Sequence, residues 1–137
     1  MVDSTPIPDP SNIVTKHSPR SVAGTVSHLE ELLRTRGIKL FAVLDQGAEA
    51  RNAGLRLRET VLVIFGNPAA GTPVMAASPL AALDLPLKIL VWADEGRTNV
   101  SYTAPEALAA RYGLGPDLAQ KLAVIGPLTD ALIAPDE

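Results

Sequence analysis

The sequence predicts a single α+β domain, an antiparallel-rich β-sheet covered by helices, with elements in roughly the order β-α-β-β-β-β-α. Three observations carry this. The chain has 137 residues, room for one domain and not comfortably for two. An apolar stripe recurs at helical spacing from Val22 to Leu33. After it, runs rich in β-branched residues follow one another without strict alternation with helices, which favours α+β over a doubly wound parallel sheet.

Residues 1–10 hold Pro6, Pro8 and Pro10 and neither a basic residue nor an apolar stretch. They are expected to form a flexible lead-in, not a secretory signal, ahead of a domain spanning 11–137. Residues 11–16 read as a modest first strand. His17 falls between that strand and a helix, as a loop residue. Ser21 stands where an N-cap belongs, with a hydroxyl to offer an unpaired amide. Val22, Val26, Leu29, Leu32 and Leu33 then mark one face, His28 lies off it, and Gly37 suits the left-handed residue that closes a helix.

Residues 38–45 read as a strand and 48–53 as a short helix closed by Gly54. Residues 60–65 are apolar on both faces, which places that strand centrally in the sheet. Beyond it, Asn67-Pro68 and Gly71-Thr72-Pro73 suit two consecutive turns. Residues 87–93 and 98–103 flank Asp94-Glu95-Gly96-Arg97 and predict a hairpin. Pro105 opens a helix that ends near Tyr112 and Gly113. Residues 116–125 predict a last helix that buries Leu118, Leu122 and Ile125.

Composition excludes several functions. The chain has no cysteine, so thiol catalysis, thiolate metal sites and disulfides are absent. Its net charge of −3 and pI near 5.3 lack the Lys and Arg excess that nucleic-acid phosphates require. No run approaches the roughly 20 apolar residues of a membrane-spanning helix, and a cytoplasmic, membrane-free protein is the default expectation.

The motifs are equally restrictive. Gly66 to Gly71 followed by Thr72 echoes a phosphate-binding loop, but Thr72 stands where that chemistry needs Lys, and Pro68 removes an amide from the cradle. His17 and His28 are eleven positions apart, without the spacing of a helical metal pair, so no metal or cofactor is expected. No Gly-x-Ser-x-Gly elbow is present. Asp94 and Glu95 fit a solvated turn, and Asp84 fits the ordering of the strand that follows it. Phe41, Phe65, Trp92, Tyr102 and Tyr112 read first as core. Arg56 and Arg58, alternating with Leu55 and Leu57, read as an exposed row.

One set of residues carries a resemblance. Ala48 through Gly54-Leu55, Leu57-Arg58, Thr60 and Phe65-Gly66-Asn67-Pro68 begin it. Gly71-Thr72-Pro73, Met75, Asp84-Leu85-Pro86-Leu87, Val91-Trp92, Asp94-Glu95-Gly96 and Ser101-Tyr102 complete it. Over about residues 13–114 the chain resembles the bacterial and archaeal family named domain of unknown function 302. The resemblance implies a compact α+β fold, commonly homodimeric, with no settled activity. Asp45-Gln46 stands where members often have Asp-His, and Glu59 where Pro is usual.

With no reactive cysteine, triad or metal spacing, the expected function is non-enzymatic: a ligand-binding or accessory protein acting as a homodimer. Its candidate ligand-binding residues are Asn67, Gly71, Thr72, Asp45 and Gln46, for a small polar ligand. Two alternatives stand beside it. One is an enzyme acting on a small polar molecule through Asp45, Gln46 and Thr72. The other is a purely structural oligomerisation subunit.

Overall fold

Ser21 starts the first helix as its sequence position predicts. Its hydroxyl accepts from the Gly24 amide at 3.0 Å, and α1 runs Val22–Thr35 with Val22, Val26, Leu29 and Leu33 buried along one side. Gly37 follows at φ 68°, the left-handed conformation that costs glycine least. The computed structural model describes residues 12–136, so the lead-in expected over residues 1–10 lies outside it.

Five strands form one sheet: β1 (Ile13–Ser18), β2 (Lys39–Asp45), β3 (Thr60–Gly66), β4 (Leu87–Asp94) and β5 (Arg97–Thr103), in the order β1-β5-β4-β3-β2. Every neighbouring pair is antiparallel. β4 holds the middle position, and β3 lies inside the sheet between it and the edge strand β2. β1 stays paired with β5 out to Ser18 opposite Thr98. His17 is therefore a strand residue, not the loop residue expected, and its Nδ1 lies 2.8 Å from Asn99 Oδ1.

The strand period sorts the two faces. Val61, Val63 and Phe65 of β3 share one face with Leu87, Ile89 and Val91 of β4 and are buried beneath the helices. Across that layer lie Leu29 and Leu33 of α1 and Leu128 and Leu132 of α6 (Ile125–Ile133), all essentially without solvent exposure. The alternate residues Leu62, Ile64 and Leu90 point to the other face and are only half-buried. An antiparallel sheet tolerates this division, with one face on the core and one open.

Three helical segments differ from their sequence reading. The short helix after β2 is α2 (Gln46–Asn52), starting two residues earlier than expected because Asp45 caps it. The segment expected as two turns is α3 (Pro68–Ala77), joined through Ser78 to a 3-10 turn, Pro79–Leu83. Asn67 caps α3 by accepting from the Ala69 amide at 3.0 Å, and Pro68 occupies the first helical position, where a missing N–H costs nothing. Pro73 is tolerated inside the helix, leaving the Ala69 carbonyl without its usual partner.

Past α4 (Pro105–Arg111), the single helix expected over 116–125 is instead α5 (Pro116–Gln120), a four-residue turn, and α6. Gly126-Pro127 lies in the first turn of α6, where proline is accommodated. Lys16 on β1 ties α6 to the sheet: its Nζ donates to Thr129 Oγ1 at 2.7 Å and Asp130 Oδ1 at 2.8 Å, and lies 5.3 Å from the centre of the Tyr102 ring. Burial pulls the Lys16 ammonium down, but Asp130 and Tyr102 together outweigh it and hold its pKa above the ordinary lysine value.

Candidate functional site

Where β3 gives way to α3, the backbone opens a cavity of about 570 Å³. Its walls are α3, the neighbouring ends of β2 and β3, Leu85-Pro86 before β4, and the connection between α5 and α6. Phe65 forms the floor and is fully buried. Ile38, Phe41, Met75, Leu87 and Leu122 extend the apolar lining.

Local backbone features explain why these side chains meet. The pairing of β2 with β3 shifts between Leu40 and Ala42, leaving Phe41 as the unmatched residue of a bulge. Bulges re-aim side chains, and this one puts Phe41 on the cavity wall, 44% exposed, and not in the core as expected, with Lys39 Nζ 5.0 Å from its ring centre. Gly66 closes the corner: a Cβ there would lie 3.4 Å from Pro86 Cβ and 3.8 Å from Phe41 Cε2. Gly71 keeps the α3 wall open, since a Cβ there would meet only Met75 Cε at 3.9 Å.

Asn67, Gly71 and Thr72, three of the five predicted site residues, all line this cavity. The wall carries two charges, Arg36 and Lys121, both basic, and neither belongs to a salt bridge among the described residues. The expectation of a small polar ligand therefore meets a mostly apolar wall with cations.

Asp45 lies elsewhere. It lines a smaller recess of about 260 Å³ at the opposite end of β2 and β3, with Val43, Val61, Arg51 and Glu59. Its Oδ1 accepts from the Ala48 amide at 2.9 Å and starts α2. Gln46 is the exposed first residue of α2 and lines neither recess. Val61 pairs with Asp45, whereas Gly66 pairs with Lys39, so the two ends are roughly 17 Å apart at the usual strand rise. The structure does not bring Asp45 and Gln46 together with Thr72. Among the described residues no group of three or more His, Asp or Glu is placed to hold a metal ion.

A third cluster lies just before Leu85-Pro86, the part of the wall that precedes β4. Asp84 Oδ2 accepts from the Tyr112 hydroxyl and from Arg111 at 3.0 Å, tying the end of α4 to the turn before β4. The Tyr112 hydrogen bond, aided by Arg111 and opposed by burial, holds the Asp84 carboxyl below the usual range. The same bond to Asp84 raises the Tyr112 phenol above its ordinary value. Asp84 does order the approach to β4, as its position suggested, but through partners distant in sequence.

Sequence reasoning did not single out Arg36, Lys121 or Met75 for the site. Met75 carries a helical signal only if residues 68–77 are read as a helix. Arg36 and Lys121 carry no signal of their own, because their sharing one cavity lining depends on where the end of α1 and the α5–α6 connection come to lie in the fold.

Comparison with known proteins agrees with this fold. The chain is similar, with a TM-score of 0.76 at 22% identity, to the crystal structure of an uncharacterized conserved DUF302 protein from Bacillus stearothermophilus, covering 90% of this chain and 96% of that one. It is 40% identical over 119 residues to proteins named fluoride-specific ion channel FluC 1 from Brucella suis biovar 1 (strain 1330) and Brucella abortus biovar 1 (strain 9-941). Those matches cover 85% of this chain but 47% and 44% of the relatives, so the chain spans about half the length of the curated relatives it matches. No helix among the described residues is long and apolar enough to cross a membrane. The family described as domain of unknown function DUF302 matches residues 14–132, reaching into α6 where the sequence resemblance stopped near 114, and the chain belongs to that family.

Proposed function

We propose that this domain is a binding protein that takes the apolar body of a small molecule into the cavity beside α3 and works as a homodimer. The observation that carries the first half is the cavity itself, about 570 Å³ with a floor of Phe65 and walls of Phe41, Met75 and Leu122. Its volume falls within the roughly 300–1,000 Å³ typical of ligand pockets. Apolar surface left open to water costs about 25 cal/mol per Å², and a ligand recovers that cost on binding.

The open sheet face supports the second half. The register aligns Leu44, Leu62 and Leu90 in one row, which continues into Ser101 and Thr15. Ile64 and Trp92 flank the apolar end of that row, half-buried. A two-fold contact between copies sets this apolar half against itself, as isologous interfaces require.

Native mass spectrometry of the purified chain tests both halves. A dimer carrying an additional small mass is the expected result. A monomer that also fails to take up any apolar probe would remove the reading. Placing Glu at Leu62 is expected to convert dimer to monomer in sedimentation equilibrium without unfolding the chain, because Leu62 lies outside the buried core.

A second reading draws on the relatives. The region they share with this chain makes up less than half of proteins named as fluoride-specific ion channels. On that basis the domain is an accessory module whose ligand occupancy adjusts a channel. Fluoride efflux from vesicles holding such a channel, with and without this chain added, tests it, and an unchanged efflux rate would set it aside.

A further inference from the structure

We infer that the ligand is an anionic amphipath, a hydrocarbon body with a carboxylate head, and that Arg36 and Lys121 read the head. This inference rests on the cavity reading above and names its ligand class.

The lining joins fully buried apolar Phe65 to exposed residues, apolar Phe41 and Val124 as well as two cations. Phe65 has no solvent exposure, while the charged side chains of Arg36 and Lys121 are exposed. A ligand that matches this lining sets an apolar body against the buried part and a charged end among the exposed cations. The sign of the charge comes from the wall, which contains no Asp or Glu. The smaller recess differs, holding Asp45 and Glu59 beside Arg51.

The two cations come from separate elements. Arg36 is the C-cap residue of α1, and Lys121 follows α5. A basic residue at the C-cap also complements the α1 dipole, which accounts for Arg36 alone but not for Lys121 on the same lining. A guanidinium meets a carboxylate through two parallel hydrogen bonds, whereas the ammonium acts as a point charge, so the pair both orients and attracts the head. Thr72 on α3 adds a hydroxyl to the same wall. Asn67 Oδ1 is already engaged with the Ala69 amide, so it caps the helix and leaves the head to its neighbours. An inorganic anion would not use the apolar floor, and a cationic amphipath would face Arg36 and Lys121 as like charges.

The test uses the whole chain and three probes of equal length, decanoate, decanol and decylammonium, titrated by calorimetry. Decanoate is expected to bind at least about tenfold more tightly than decanol, the scale of a hydrogen-bonded charge, and decylammonium most weakly. In the double variant Arg36→Gln, Lys121→Gln, decanoate falls to the affinity of decanol while decanol is unchanged. Added salt weakens decanoate binding and spares decanol. Equal affinity for decanoate and decanol, or tightest binding of decylammonium, overturns the anionic head and leaves the cavity reading standing. Failure of all three probes overturns both. Both side chains are exposed, so the double variant is expected to keep its fold, which its unchanged decanol affinity verifies directly.

Discussion

At one end of the β2–β3 pair, Asp45 caps α2 and shares a recess of about 260 Å³ with Arg51 and Glu59. At the other end the same two strands meet α3 around about 570 Å³ of mostly apolar surface, with Arg36 and Lys121 as its charges. The strands are shared, so the contrast comes from the segment that leaves each one. β2 ends in an acid whose carboxylate is used by the next helix. β3 ends in Gly66-Asn67-Pro68, where the small residue fits against Pro86 and Phe41 and the Asn67 cap starts α3 at once. A cap consumes the polar group at the first end. At the second, the cap leaves an apolar wall beside it unfilled.

The largest expected effect breaks the apolar end. Phe65→Ala removes its floor and is expected to cost about 3–5 kcal/mol in urea denaturation, as large-to-small changes at fully buried aromatics do. Val43→Ala, at the Asp45 end and 39% exposed, is expected to cost far less in the same assay. Asp45→Ala comes next. Loss of the α2 cap is expected to cost about 1 kcal/mol while binding of an apolar probe stays unchanged. Reduced probe affinity in that variant would join the two ends into one site.

The smallest effect concerns the Asp84–Tyr112 pair before β4. Asp84 has a lowered folded pKa, so its contribution to stability is present above the unfolded value of about 3.9 and is lost as pH falls through the folded value. Tyr112 has a raised folded pKa, so its contribution is present below about 10 and is lost as pH rises through the folded value. Tyr112→Phe is therefore expected to be modestly destabilised near neutral pH, with the gap to the native chain closing on the acid side. Thermal melts at several pH values measure it, and a gap independent of pH would mean that the hydrogen bond contributes nothing through ionisation.

Elements with their own local chemistry were legible in the sequence. The Ser21 cap, the apolar stripe of α1, the β-branched run of β3 and the turn between β4 and β5 each carry a signal within a few residues. α3 was missed although its signal was present. Asn at the cap and Pro at the first position announce a helix, but Pro73 and Gly71 also suit turns, and the turn reading gave more weight to the breakers. The α5–α6 break was missed because Gly126-Pro127 reads equally as a stop and as a first turn. Of the site, Asn67, Gly71 and Thr72 were legible as one segment. The bulge at Phe41 and the place of Arg36 and Lys121 on the same cavity lining were not, since both depend on pairing and packing between distant parts of the chain.

Gly71→Leu tests the central claim most directly. The glycine lies within α3 on the cavity wall, and its position leaves room for a Cβ. Replacing a helical glycine with leucine is expected to raise stability by up to about 0.8 kcal/mol, while the new side chain fills the space a ligand would take. The measurement is a calorimetric titration of decanoate into both proteins, paired with their melting temperatures. Binding lost with the melting temperature unchanged or raised is the predicted result. Decanoate bound equally by both proteins would place the ligand outside this cavity and contradict the account.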